Sequence, residues 1–178
     1  MAGNEGFEFT SGEFPRTLDE RFRVQIPQEL LTVLDKPLAV FGEVEQEQVA
    51  PSKVECTLAK ERLGCLSLWH RQAWHKKLNE DLKVIGGKAS SRRLESRFEQ
   101  MQLLGRLLST RAEDVELATG VRLLIPRRFR DFLGVEPNST VMVVAAAYSV
   151  ELWNPVTWNE YLSATIPDFH KLLDDLAR

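Results

Sequence analysis

Two copies of one tryptophan spacing constrain the fold of this chain more than any other feature of its sequence. In each copy a Leu-Trp pair is followed after four residues by a second Trp, and after three more by a Leu. The copies are Leu68-Trp69, Trp74 and Leu78, and Leu152-Trp153, Trp158 and Leu162, and they contain all four tryptophans of the 178 residues. We interpret each Trp pair as a core contact between a strand and a helix, in preference to an exposed stacking platform. The repeat predicts two structurally similar halves.

A hairpin followed by a short helix also occurs twice. Residues 17–34 contain a polar turn, the alternating strand pattern Arg-Val-Gln-Ile and a proline that precedes a helix. Residues 115–133 repeat this order, with Arg122 at the place of Arg23. The hairpins are 99 residues apart and the tryptophan units 84 apart, so the first half carries 15 extra residues. We place this insertion in the polar stretch 45–62.

The periodicity of the apolar residues predicts the remaining elements. Strands are expected at 14–18, 37–44, 65–69 and 141–147, and helices at 28–35, 72–84, 90–109 and 128–133. Gly86-Gly87 is expected to end the second helix, and Gly134 to cap the fourth. Strand 37–44 is expected to match strand 141–147. We therefore predict an α+β fold with a mainly β core, in which two pseudo-symmetric repeats pack on each other and carry peripheral helices.

The predicted organisation has five parts. They are an N-terminal tail (1–12), a first repeat with its helix (13–85), a connecting helix (86–112), a second repeat with its helix (113–165) and a C-terminal tail (166–178). The connecting helix has an apolar stripe, which indicates an interface within or between subunits.

Residues with catalytic or metal-binding chemistry are few and scattered. The three histidines and the two cysteines, Cys56 and Cys65, do not have the spacing of a zinc site or of a Cys–His pair. No phosphate-binding glycine loop or nucleophile elbow occurs. We predict no enzyme activity, no cofactor and no bound metal. The start of the chain lacks a leader pattern, and no apolar run approaches the roughly 20 residues of a membrane span, which predicts a soluble cytoplasmic protein without a membrane partner.

Arginines cluster about both predicted turns. The first group is Arg16, Arg21 and Arg23, with Asp19 among them, and the second includes Arg122, Arg127 and Arg128. Guanidinium groups suit phosphate oxygens and guanine edges, which makes these residues candidates for nucleic-acid binding. They can equally be solvated charges, with Asp19 and Arg23 as an ion pair that locks the turn. The net charge of −3 argues mildly against a nucleic-acid partner, although the local field decides this question.

Four segments together carry a resemblance to a known family. They are Leu18-Asp19-x-x-x-Arg23-Val24-x-Ile26-Pro27, Cys65-Leu66-x-Leu68-Trp69, Arg122-Leu123-Leu124-Ile125-Pro126 and Glu151-Leu152-Trp153-x4-Trp158. Over about residues 9–165 the chain resembles the MraZ family, bacterial regulators built from two SpoVT-AbrB-type swapped-hairpin units. The turn motif of that family is Asp-x-x-Gly-Arg. Here Phe22 takes the glycine position of the first copy, which implies a different or strained turn, and Ala118 and Val121 take the Asp and Gly positions of the second.

The resemblance implies a double-barrel-like body and a DNA-binding transcriptional regulator, expected to repress the division and cell-wall gene cluster that it heads. Such a protein binds short direct repeats of double-stranded DNA in its own promoter as a ring-like homo-oligomer, in the nucleoid and without a small-molecule cofactor. The resemblance implies that Arg23 and Arg122 contact DNA, that Asp19 orients Arg23, and that Arg16 and Arg21 hold phosphates. Arg127 and Arg128 belong to the same surface. The alternative is a structural or protein-binding ring that kept the fold and lost specific DNA binding.

Overall fold

The structure is a computed structural model that describes residues 10–35, 54–88, 94–119 and 121–178. Its strands are β1 (Glu13–Thr17), β2 (Arg23–Gln25), β3 (Val54–Arg62), β4 (Cys65–His70), β5 (Ala112–Leu117), β6 (Arg122–Leu124), β7 (Thr140–Ala146) and β8 (Ser149–Trp153). Its α-helices are α1 (Gln28–Asp35), α2 (Arg71–Lys88), α3 (Leu94–Arg111), α4 (Arg127–Leu133), α5 (Pro155–Thr165) and α6 (Phe169–Leu176). The strand expected at 37–44 lies outside the described residues.

A six-stranded antiparallel sheet contains strands from both halves of the chain. Their order is β1-β7-β8-β4-β3-β5, so β1 of the first half pairs with β7 of the second, and β5 of the second half pairs with β3 of the first. The remaining strands, β2 and β6, form a separate two-stranded ribbon. Each half therefore completes the sheet of the other. The predicted fold class, α+β with a mainly β core and peripheral helices, is confirmed.

A pseudo-two-fold axis runs through both sheets. In the six-stranded sheet Ser67 of β4 pairs with Glu151 of β8, and in the ribbon Val24 of β2 pairs with Leu123 of β6. Both pairs join equivalent positions of the two copies, since they are separated by the repeat offsets of 84 and 99 residues seen in the sequence. The axis thus relates the two halves about the middle of the molecule.

The main core lies between the ribbon and one face of the six-stranded sheet. The largest fully buried side chains there come from both halves and include Leu18, Ile26, Leu30, Leu66, Leu68, Leu117, Leu123, Ile125 and Phe129. Because Leu66 and Leu68 alternate along β4 with residues of the opposite face, one side of the sheet faces this core. The two halves share one core, as the small number of apolar positions in each copy predicts.

The tryptophans lie on the other face of the sheet, where helices α2 and α5 pack. The ring centroids of Trp69 and Trp74 are 6.0 Å apart, and those of Trp153 and Trp158 are 5.1 Å apart. All four side chains are buried. Each pair joins the end of a strand to the start of the following helix, so the core interpretation of the tryptophans is confirmed.

Strand β3 corrects one expectation. It forms the hairpin with β4 that β7 forms with β8, so β3, and not 37–44, is the counterpart of β7. The four residues Cys56–Ala59 of β3 are buried despite the charged residues at its ends, because β3 is an inner strand between β4 and β5. The 15 extra residues of the first half therefore lie between α1 and β3.

Two helix boundaries also differ from expectation. Helix α2 continues through Gly86 and Gly87 to Lys88, so the prediction that these glycines end it is wrong. A glycine within a helix costs only about 1 kcal/mol relative to alanine, which neighbouring helical residues offset. Gly134 does cap α4 in the left-handed conformation, as predicted, with φ of 70°. The segment expected as a C-terminal tail contains α6.

Candidate nucleic-acid interface

The ribbon of β2 and β6 buries one face and exposes the other. Val24 and Leu123 are opposite each other and point into the core. Because side chains alternate along a strand, the residues on either side of them point outward. The outward pairs are Arg23 with Leu124, and Gln25 with Arg122. Gln25, Leu124 and Arg122 are exposed and Arg23 is half-buried.

Hydrogen bonds beyond the ribbon tie each turn to the other half of the chain. The Ile26 N–H donates to the carbonyl oxygen of Val121 at 2.8 Å, and the Ile125 N–H donates to that of Phe22 at 3.0 Å. These two bonds join equivalent positions of the two copies. Each turn is thus held by the strand end that follows the other turn, and this fixes where the arginine next to each turn is presented.

Asp19 organises the first turn. Its Oδ1 accepts hydrogen bonds from the backbone N–H groups of Arg21 (2.8 Å) and Arg23 (2.9 Å). Its Oδ2 accepts from Nε of Arg23 at 2.6 Å. The bond from the Arg23 backbone, together with the guanidinium of the same residue, lowers the pKa of Asp19. Arg23 is therefore held in one orientation by a carboxylate that stays ionised at neutral pH.

Phe22 has a left-handed backbone, with φ of 59°, a conformation that favours glycine. Its N–H donates to the carbonyl oxygen of Asp19 at 3.0 Å, which closes the turn. The guanidinium carbon of Arg130 lies 4.1 Å from the centroid of the Phe22 ring, and Nε of Arg130 donates to the carbonyl oxygen of Ile125 at 2.9 Å. The sequence left open a different turn or a strained one, and the structure contains the strained turn. Contacts from helix α4 stabilise it.

The second turn has a different geometry. Ala118 exchanges two backbone hydrogen bonds with Arg122, at 2.8 and 3.0 Å. Here Thr119 has the left-handed backbone, with φ of 51°, whereas Val121, the equivalent of Phe22, does not. Ala118 has no carboxylate with which to orient Arg122. Within the described part of the chain, no acidic side chain pairs with Arg122, which is exposed.

Because strands of the two halves pair with each other, the other predicted arginines do not form the two groups seen in the sequence. Arg127 starts α4 two residues after Ile125, so this exposed side chain belongs to the end of the ribbon that carries the first turn and Arg21. Arg128 is engaged within the protein: its Nε contacts Glu113 at 2.6 Å, and its terminal nitrogens donate to the carbonyl oxygens of Ser109 and Ala112. It ties α4 to the start of β5.

Arg16 lies three residues before Asp19 on β1. Its Nη1 donates to the carbonyl oxygen of Pro15 at 3.0 Å, and its guanidinium carbon is 5.5 Å from the centroid of the Phe14 ring. The pairing of β2 with β6 thus brings Arg21, Arg23 and Arg127 to one end of the ribbon, whereas Arg122 is nearer to the other end. The sequence predicted two separate clusters, one at each turn.

Three residues at this surface were not among the predicted site residues. Gln25 and Leu124 lie on the outward face of the ribbon, and Arg130 supports Phe22. Their positions two residues from Arg23 and from Arg122 would have indicated Gln25 and Leu124, because residues two apart on a strand share a face. No local signal in the sequence indicates the contact of Arg130 with Phe22, which are 108 residues apart.

A half-buried carboxylate lies at the axis, on the sheet face opposite the ribbon. Oε2 of Glu151 accepts a hydrogen bond from the indole N–H of Trp153 at 2.8 Å, and at the equivalent position Oγ of Ser67 accepts from Trp69 at 2.8 Å. Burial raises the pKa of Glu151, and the bond from Trp153 opposes this rise. Burial also raises the pKa of the Cys65 thiol, which keeps it protonated and a poor nucleophile. Glu151 and Ser67 thus fix the indole rings of Trp153 and Trp69.

Metal-binding and membrane-spanning features were sought over the same described residues. No group of three His, Cys, Asp or Glu side chains there could hold a metal ion. None of the helices in that part of the chain has both the length and the apolar character needed to cross a bilayer.

Comparison with known proteins gives one family. The family model described as "MraZ protein, putative antitoxin-like" matches residues 108–176. A transcriptional regulator MraZ of Treponema denticola is 25% identical over 168 residues, which cover 93% of this chain and 96% of that protein. A protein of the same name from Marinobacter nauticus is 26% identical over 74% of this chain and 81% of its own length. One from Roseiflexus castenholzii is 24% identical over 86% of each chain.

Proposed function

Because this chain belongs to the MraZ family, we propose that it is a DNA-binding transcription regulator that uses the outward face of the β2–β6 ribbon to bind its own promoter. The observation that carries the proposal is the geometry of that face. The major groove of B-DNA, about 12 Å wide, admits a two-stranded antiparallel ribbon. Arg23 and Arg122 project from the two strands on the same side, and the core behind Val24 and Leu123 makes their platform rigid.

The contacts of each arginine suggest its role. Arg23 is preoriented by Asp19, which suits a side chain that reads a base edge, since less conformational freedom is lost on binding. Arg122 is the second base-contacting arginine. Arg21 and Arg127, both exposed at the same end of the ribbon, suit phosphate contacts, with Arg16 further along β1. Arg128 contributes by holding α4 in place.

We propose that the protein acts as a ring-like homo-oligomer on short direct repeats and represses transcription. Two helices support association, because apolar side chains on them are exposed. On α3 these include Phe98, Met101, Leu103 and Leu107, and on α6 and the turn before it Ile166, Phe169, Leu172, Leu173 and Leu176. Two such faces on one chain suit head-to-tail contacts that close into a ring. A ring would also explain how a chain of net charge −3 binds DNA in the nucleoid, because each subunit adds a few arginine contacts to a multivalent complex.

Binding to the DNA upstream of the gene tests this proposal, by titration of labelled duplex at several salt concentrations. Arg23→Ala is expected to weaken binding to that duplex by roughly 5- to 150-fold more than binding to scrambled DNA. Arg122→Ala should weaken it as well. Lys83→Ala is the matched control, since it removes one exposed positive charge from α2, on the far side of the sheet from the ribbon. Unchanged affinity and salt slope in both arginine variants would contradict the site.

The second candidate is a structural or protein-binding ring without specific DNA binding. The second turn favours it, because Ala118 and Thr119 replace the arrangement that orients Arg23 in the first. A uniform oligomer that does not shift upstream DNA even at low salt would support this candidate against the first.

A further inference from the structure

We propose that Gln25 reads an adenine next to the base pair contacted by Arg122, so that the ribbon recognises an A·T pair beside a G·C pair. This inference rests on the proposed function and specifies the class of DNA sequence that the ribbon binds.

The position of Gln25 is set by buried neighbours on both sides. Val24 and Ile26 are fully or almost fully buried, so Gln25 between them must point outward. The Ile26 N–H also holds this end of β2 against Val121, at 2.8 Å from its carbonyl oxygen. Gln25 is exposed, and its amide has no hydrogen-bond partner among the described residues. A rigid backbone therefore presents an amide that is available to a ligand.

The residue opposite Gln25 in the ribbon is Arg122. Directly opposite residues of an antiparallel pair have Cβ atoms about 4.5–5.5 Å apart. Successive bases on one strand of B-DNA are about 3.4 Å apart along the helix axis, so two flexible side chains at this separation can reach neighbouring base pairs. Gln25 and Arg122 therefore lie side by side on the outward face of the ribbon.

The chemistry of the amide selects one base. A glutamine side chain offers one donor and one acceptor side by side, and in the major groove adenine presents the matching acceptor N7 and donor N6. The Arg122 guanidinium offers only donors, which match O6 and N7 of guanine. At the other end of the ribbon Leu124 lies opposite Arg23 and is half exposed, so it can contact the methyl group of a thymine.

Selection of duplexes from a random pool by the full-length protein tests the inference. The wild-type protein, Gln25→Ala, Gln25→Glu and the control Gln28→Ala are compared; Gln28 is an exposed glutamine that starts α1. Gln25→Ala is expected to lose discrimination at one base-pair position by roughly 5- to 150-fold. Its affinity for scrambled DNA and its salt slope should stay the same, because no charge is removed. Gln25→Glu should shift the preference at that position towards cytosine, whose N4 donates to a carboxylate.

The outcomes separate this inference from the proposed function. If the wild-type protein selects a sequence and Gln25→Ala selects the same one with the same discrimination, the role of Gln25 is wrong while the proposed function stands. If the wild-type protein selects no sequence, both are wrong. Circular dichroism of each variant checks folding, and Gln25→Glu keeps the size of the side chain, so a change in its preferred base does not arise from a cavity.

Discussion

The guanidinium carbon of Arg130 lies 4.1 Å from the centroid of the Phe22 ring, over a residue whose φ is 59°. Arg130 belongs to the helix that follows the second turn, and Phe22 to the first turn itself. The contact therefore crosses between the two halves of the chain, and it accompanies the hydrogen bond from the Ile125 N–H to the Phe22 carbonyl oxygen. A strained, non-glycine turn is stabilised here by the other repeat.

Replacing Phe22 separates the strain of this turn from its contacts. A left-handed backbone costs a residue with a Cβ about 1–2 kcal/mol, and glycine avoids this cost. The contacts with Arg130 and the core contribute about as much in favour of phenylalanine. We expect Phe22→Ala to lower the free energy of unfolding by about 1–2 kcal/mol, because it keeps the strain and loses the contacts. Phe22→Gly should be more stable than Phe22→Ala by about 1 kcal/mol.

Urea denaturation of the three proteins measures this order. Arg130→Lys provides the complementary test, because lysine keeps the charge and loses the planar group that lies over the ring. An alanine variant as stable as the glycine variant would contradict the left-handed turn.

Asp19→Asn is expected to make the stability of the folded protein less sensitive to pH in the acid range. The hydrogen bonds from Arg23 lower the pKa of Asp19 in the folded state, so the folded protein favours the ionised carboxylate. Its contribution to stability is fully present above the ordinary carboxyl pKa of 3.8, and it is lost as the pH falls through the lower folded-state value. The stability difference between the wild-type protein and Asp19→Asn should therefore shrink below pH 3.8. Thermal unfolding at several pH values measures it; a difference that grows on acidification would refute the assignment.

Leu123→Ala is expected to destabilise both halves together. Leu123 is fully buried at the axis of the ribbon, where the two halves meet. Loss of its side chain from the shared core should lower the free energy of unfolding by about 2–5 kcal/mol. The neighbouring exposed residue provides the control, since Leu124→Ala should change the stability by less than about 0.5 kcal/mol. Calorimetry should show one transition for each protein, and two separate transitions in Leu123→Ala would mean that the halves have independent cores.

A charge on α6 is expected to reduce the size of the proposed homo-oligomer. Leu172 and Leu173 are exposed in the middle of the apolar face of this helix. If a second copy of the chain covers that face, Leu173→Asp should shift the protein to smaller species, because an unpaired carboxylate would be buried in the contact. Light scattering after size exclusion measures the mass. Asp174→Ser, a change at the adjacent position of α6, is the control, and equal masses for wild type and Leu173→Asp would exclude this face as the contact.

The local patterns of the sequence predicted the elements of the site well. The alternation around Val24 and Leu123 predicted two short strands with outward arginines, and the proline after each strand predicted the helix that follows. The tryptophan spacing predicted strand-to-helix contacts that the structure contains. The residues of β3 were assigned to the polar insertion because the charged ends of this strand resemble a loop, and only its position between β4 and β5 explains why Cys56–Ala59 are buried.

By itself the sequence determined that the chain has two similar halves, because a repeat with fixed spacing leaves the same periodic signal in both copies. It also determined which side of each ribbon strand is polar, since that depends only on the two-residue period of a strand. Only the tertiary structure decided which residues surround each turn. The antiparallel pairing of β2 with β6 places the start of α4, with Arg127, beside the first turn, and it brings Arg130 over the ring of Phe22. Such pairing joins residues about a hundred positions apart, and it follows from the core that both halves must share.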